Sequence, residues 1–153
     1  MTADSRTVPP INGLLETALY VTDIAVSHAF YERLMGFPCY LLDDRMCALG
    51  VPGRGVLLLF RRHGSQHPST TPQGTIPAHD GMGQLHLAFA IPAVSLPAWE
   101  AHLAAQAVPI ESRITWPRGG TSLYFRDPDG HSVEVATPGL WPNDGGRKED
   151  VLF

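Results

Sequence analysis

A chain of 153 residues with an apolar share of 44% has the size of one compact domain, or of two tightly fused half-modules, and enough apolar side chains to fill a core. Its formal charge of -4 comes with no Lys/Arg-rich run, so the electrostatic footprint that nucleic acid or an anionic membrane surface requires is missing. No stretch approaches the roughly 20 apolar residues of a membrane span, and no charged-then-apolar leader opens the chain, so the expectation is a cytoplasmic protein with neither partner.

Residues 1–12 carry Thr, Ser, Asp and a Pro-Pro pair without an apolar period and read as a flexible arm. From Leu15 to Val21, Thr17, Leu19 and Val21 alternate with Glu16, Ala18 and Tyr20, which predicts a half-buried strand. Asp23 is placed to cap a helix whose apolar face would be Val26, Phe30 and Leu34, and Gly36 stands where a left-handed residue ends such a helix. Short apolar runs follow at Cys39–Leu42, Met46–Leu49 and Val56–Phe60, separated by Asp-Asp and Pro-Gly turn chemistry. Cys39 and Cys47 have no CxxC spacing and are too few for a disulfide framework, so they read as ordinary strand residues.

Residues 63–83 are polar, Gly- and Pro-rich and aperiodic, and read as a surface loop or lid. The order of elements then begins again. Leu85, Leu87, Phe89 and Ile91 alternate with His86, Ala88 and Ala90; Ser95 is placed to cap a helix running to Gln106; strands are expected near Pro109–Ser112, Ser122–Arg126 and Ser132–Thr137, the last two joined by an Asp127-Pro128-Asp129-Gly130 turn. The chain thus divides into module one (13–62), the loop, module two (84–137) and a tail (138–153) in which Leu140, Trp141, Leu152 and Phe153 are available to pack on a partner.

Alternation also sorts the strand residues by face. Opposite the apolar stripes lie Glu16 with Ala18 and Tyr20, His86 with Ala88 and Ala90, and Glu134 with Ser132 and Ala136. A large polar group beside small neighbours leaves room for a cavity, and carboxylates on such a surface need a counter-charge because an unpaired buried one is costly. A divalent cation would satisfy all three.

The run from Leu19 through Val21-Thr22-Asp23 to Phe30-Tyr31 and Leu34-Met35-Gly36-Phe37, then Leu85-His86-Leu87, then Tyr124-Phe125-Arg126-Asp127-Pro128-Asp129-Gly130-His131-Ser132-Val133-Glu134, resembles the vicinal-oxygen-chelate superfamily of glyoxalases, bleomycin-resistance proteins and extradiol dioxygenases. The resemblance implies an α+β fold of two βαβββ modules forming a half-open barrel, and a homodimer. It implies a divalent metal held by Glu16, His86 and Glu134, with zinc, nickel, manganese and iron undistinguished. Glu16 and Glu134 are then the catalytic carboxylates, and a small-molecule substrate is the partner. The position of the fourth ligand of glyoxalase I falls on Leu58, which cannot bind a metal, so three protein ligands with open positions are expected. Glu16 stands where extradiol dioxygenases place a His, which argues against ring cleavage.

Around this trio, Arg118, in a Gly-bearing loop, is a candidate for an anionic substrate group. His79, in the loop before module two, is a candidate substrate contact or proton shuttle, and Phe60, Tyr20, Tyr124 and Arg126 are candidate pocket residues. Trp99 and Trp116 read as packing residues. His28, His63, His67, His102 and His131 read as surface or loop histidines. The expected activity is lyase, isomerase, dioxygenase or thiol-transfer chemistry on vicinal oxygens; the competing reading is a metal-free protein that sequesters a ligand, as bleomycin-resistance proteins do.

Overall fold

The computed structural model describes residues 8–146. Strand β1 (Glu16–Val21) leads into helix α1 (Ile24–Met35), followed by β2 (Cys39–Leu42), β3 (Met46–Gly50) and β4 (Val56–Arg61). The second pass comprises β7 (His86–Ala90), a 3-10 turn (Ala93–Ser95), α2 (Leu96–Ala105), β8 (Ser112–Thr115), β9 (Thr121–Arg126) and β10 (Ser132–Ala136). Each pass forms one four-stranded sheet, ordered β1-β4-β3-β2 and β7-β10-β9-β8, with the first and last strands parallel. This is the expected pair of βαβββ modules.

Local chemistry explains the boundaries. The Asp23 side chain accepts the Val26 N–H at 3.2 Å, and Gly36, at φ 69°, lets its own N–H close on the Glu32 carbonyl. Of the face its apolar spacing suggests, Phe30 and Leu34 are buried and Val26 is exposed; Ile24, Ser27 and Tyr31 complete the inward stripe. Ser95 does not cap α2, because it already belongs to the 3-10 turn and has helical dihedrals. The strand expected at Pro109–Ser112 begins instead at Ser112, where β8 pairs with β9. Within the stretch read as a loop, β5 (Ser69–Thr71) and β6 (Gly74–Ile76) pair as a short hairpin.

The apolar faces of both sheets share one core. Leu19, Val21, Leu57 and Leu59 of the first sheet join Leu123, Phe125, Val133 and Val135 of the second, with Tyr31, Leu34 and Leu103 of the helices between them. The Asp-Pro-Asp-Gly turn clamps the two modules. Asp127 accepts the Tyr31 hydroxyl at 2.8 Å, and Asp129 accepts both the backbone N–H and the hydroxyl of Thr22. His131 is fully buried, not on the surface as its loop position suggests. Its Nδ1 accepts the Leu85 N–H, which leaves Nε2–H to donate to the Tyr20 carbonyl at 2.8 Å, so one neutral ring stitches the opening strand of module one to the start of module two. His102 and His28 are half-buried, His102 with Nε2 bonded to the Leu34 carbonyl. Among the described residues no helix is long and apolar enough to cross a membrane. Leu152 and Phe153 lie outside the described residues.

Candidate functional site

The two modules use equivalent ladder positions for different side chains. In module two His86 opens β7 opposite Ser132, and Glu134 lies two residues on, opposite Ala88. In module one Glu16 opens β1 opposite Val56, and Leu58 lies two residues on, opposite Ala18. Glu16 therefore corresponds to His86, and Leu58 to Glu134.

Module two assembles a polar site. Glu134 is 4% exposed, whereas the side chain of His86 is 53% exposed. The His86 Nδ1 sits 2.9 Å from the Ser132 carbonyl, which only accepts, so this nitrogen carries the proton. The lone pair of Nε2 then faces the Glu134 Oε2 at 3.3 Å. Two acceptors opposed at that range require a cation between them or a proton on the ring. A backbone carbonyl that fixes the tautomer is also how metal-binding histidines are oriented, so the donor chemistry fits a divalent ion.

The other oxygen of Glu134 accepts a hydrogen bond from the Ser122 hydroxyl, and Trp116 Nε1 donates to Ser122 Oγ at 2.7 Å. Neither Ser122 nor Trp116 was singled out for this role from sequence. The available signal was alternation, which puts Ser122 on the same face of β9 as Tyr124. The Tyr124 ring stacks on His86 with centroids 6.1 Å apart, and burial together with the negative charge of Glu134 pushes its hydroxyl above the usual phenol range. Arg126 is engaged by Glu111 at 2.6 Å. Arg118 lies half-buried in the turn between β8 and β9.

Module one forms a cavity of about 620 Å³ on the inner face of its sheet, closed on one side by the 63–83 segment. Glu16, Tyr20, Leu58, Phe60, His67 and His79 are among its lining residues. Tyr20 Oη is 2.8 Å from His79 Nδ1, and Phe60 meets the same imidazole edge-on with centroids 4.5 Å apart. Burial, and then the nearby Asp80 carboxylate, raise the Tyr20 hydroxyl above its ordinary value. Phe60 and His79 both line this cavity, while Arg118 and Tyr124 are not among its lining residues. Nor does one chain gather the expected trio: among the described residues, Glu16 does not lie with His86 and Glu134 in a set of donors within 4.8 Å.

A family model described as the Glyoxalase/Bleomycin resistance protein/Dioxygenase superfamily matches residues 13–135. The chain belongs to this superfamily. Among solved superfamily-like structures, lactoylglutathione lyase from Agrobacterium tumefaciens is 34% identical, with a TM-score of 0.79 over 87% of this chain and 98% of its own. The metallothiol transferase FosB of Bacillus licheniformis is 27% identical over 128 residues, 83% of this chain and 76% of FosB. The fosfomycin resistance protein FosX from Listeria monocytogenes, at 20% identity and a TM-score of 0.63 over 86% of this chain and 97% of its own, shares the fold.

Proposed function

We propose that this superfamily member is a metal-dependent enzyme acting on a small substrate with two neighbouring oxygens. His86 and Glu134 hold a divalent cation, and Glu16 from a second copy of the chain supplies the third donor in a homodimer. The observation that carries this reading is the opposition of the His86 Nε2 lone pair and the Glu134 carboxylate at 3.3 Å, with the ring tautomer fixed from behind by Ser132. The exposure of His86, Ala88 and Ala90 on the same strand face supports completion by a second molecule. Names among the relatives, a lyase and a metallothiol transferase, favour lyase or thiol-transfer chemistry.

When bound, the cation supplies Lewis-acid stabilisation of the enolate or oxyanion that develops in the transition state. The chain's own residues do the rest. Ser122, backed by Trp116, aims the Glu134 carboxylate. Glu16, exposed near the start of β1, takes a proton from the substrate. Tyr124 covers His86 on one side, its ring stacked on the imidazole. Tyr20, Phe60 and His79 form a wall for the substrate.

Equilibrium dialysis against Mn²⁺, a cation that prefers oxygen and nitrogen donors, tests the site. Wild-type protein is expected to hold about one ion per chain; Glu134→Ala and His86→Ala lose it, and Glu16→Ala weakens it about tenfold, the scale of a lost ligand or support. The second reading, metal-free ligand sequestration, is favoured by the largely apolar walls of the module-one cavity, with Leu58 and Phe60 on its floor. It prevails if wild-type protein retains no ion and Glu134→Ala leaves ligand binding intact.

A further inference from the structure

Among the described residues, away from the half-open barrel whose inner face (the cup) carries Glu16, His86 and Glu134, one group of chemistry-bearing side chains remains without an assigned task. His28 on α1, Cys39 on β2 and Cys47 on β3 place one ligand atom each within 4.8 Å of one another. The period-two alternation of β3 separates this group from the cavity: Met46 lines the cavity, whereas Cys47 points to the opposite, helix-covered face and is fully buried there. The cluster therefore lies behind the sheet, between its edge strand and α1.

Three observations identify its ligand. The two sulfurs are 3.9 Å apart. Thiolates bound at ~2.3 Å to a tetrahedral cation lie about 3.8 Å from each other, so the spacing suits a shared metal. A disulfide would instead need the sulfurs at about 2.05 Å. The ladder also sets the two backbones off from each other: Cys39 is opposite Leu49, Cys47 is opposite Leu42, and the register shifts between Cys39 and Leu41. Finally, the Nε2 of His28 is shut off from solvent and, among the described residues, has no hydrogen-bond partner. The nearest acid, Glu32 one turn along α1, stands 3.6 Å away, beyond hydrogen-bond range.

We propose that His28, Cys39 and Cys47 form a second metal site, for a thiophilic divalent cation such as zinc, with Glu32 or a water in the fourth position. Cys39 is exposed and gives the ion a way in, and Cys47 anchors it to the core. The two thiol protons leave to solvent as the ion binds, so affinity rises with pH. Burial, and then the neighbouring Cys39, push the Cys47 thiol up to about 12, so without a cation this sulfur stays protonated and unreactive. The bound ion ties edge strand β2 to α1, a structural role independent of the reaction proposed for the cup.

Cobalt(II) added to the reduced full-length chain separates this site from the cup, because only thiolate ligands give a sulfur-to-cobalt charge-transfer band in the near ultraviolet and the cup offers none. The band is expected in wild-type protein and in Glu134→Ala, to need more cobalt for saturation in His28→Gln, and to be absent in Cys39→Ser, whose exposed position makes it tolerant of exchange. Unaltered protein gives a second readout: zinc should slow the reaction of Cys39 with a thiol reagent at least tenfold. No band in reduced wild-type protein, a band undiminished in Cys39→Ser, or a thiol rate indifferent to zinc each overturns the proposal.

Discussion

Module one and module two share a strand order and a ladder register, yet they line their inner faces with opposite chemistry. Where module two presents His86 and Glu134, module one presents Glu16 and Leu58. Where Ser122 and Trp116 back the carboxylate of module two, Tyr20, Phe60 and His79 close an aromatic pocket in module one. The lesson is a division of labour on one scaffold. The backbone repeats because parallel closure of each βαβββ unit requires it, whereas inward-facing side chains are free to diverge because the core is built from the other face of each strand.

The largest expected effect comes from cutting the link between the modules. His131→Ala leaves the part-buried Leu85 N–H and Tyr20 carbonyl without their ring partner, and at about 1–3 kcal/mol for each unsatisfied group the loss should total about 2–6 kcal/mol. Urea denaturation monitors it. A loss under about 1 kcal/mol would show that the modules hold together without this ring.

Next in size is a change that makes the two modules alike. Leu58→Glu puts a carboxylate at the module-one counterpart of Glu134, and Mn²⁺ affinity is expected to rise about tenfold or more, with the stoichiometry still one ion per chain. Two ions per chain would mean that each module makes its own site, and the inference that copies share a site would fail.

Ser122→Ala tests the support of the carboxylate within module two. Metal affinity should fall about tenfold, as is usual when a ligand's orienting partner is removed, while Tyr20→Phe in module one leaves it unchanged. Equal effects of the two substitutions would erase the distinction between the modules.

The smallest effect concerns the tail that follows module two. Desolvation opposes the ionisation of Asp144, but the backbone N–H groups of Trp141, Leu140, Gly146 and Gly139 outweigh it and hold the carboxyl at about 2, below its ordinary 3.8. A depressed acid stabilises the fold above its unfolded-state value, and that contribution disappears as pH falls from about 4 through 2. Wild-type protein should therefore lose thermal stability over this window more steeply than Asp144→Ala. Superimposable acid limbs for the two proteins would remove the role of the tail turn.

Periodicity made much of this legible. The βαβββ order, the Asp23 cap, the Gly36 stop and the sorting of Glu16, His86 and Glu134 onto inner faces follow from local rules with short range. Local rules failed where a distant segment set the outcome. Val26 is exposed although it fits the spacing, because α1 is turned by what Tyr31 and Ser27 meet in the Asp127–Asp129 turn. The 63–83 hairpin has too few residues per strand for a detectable period.

Sequence by itself determined the superfamily, the doubled architecture and the residue types that face inward, since these depend on strand alternation, capping and turn chemistry written in neighbouring residues. Tertiary structure alone decided that His131 is an interior link, that Ser122 and Trp116 stand behind Glu134, that Glu16 is separated from His86 and Glu134 within one chain, and that His28, Cys39 and Cys47 meet. Each depends on which points of the chain packing brings within a few ångströms, and no local pattern encodes such distances.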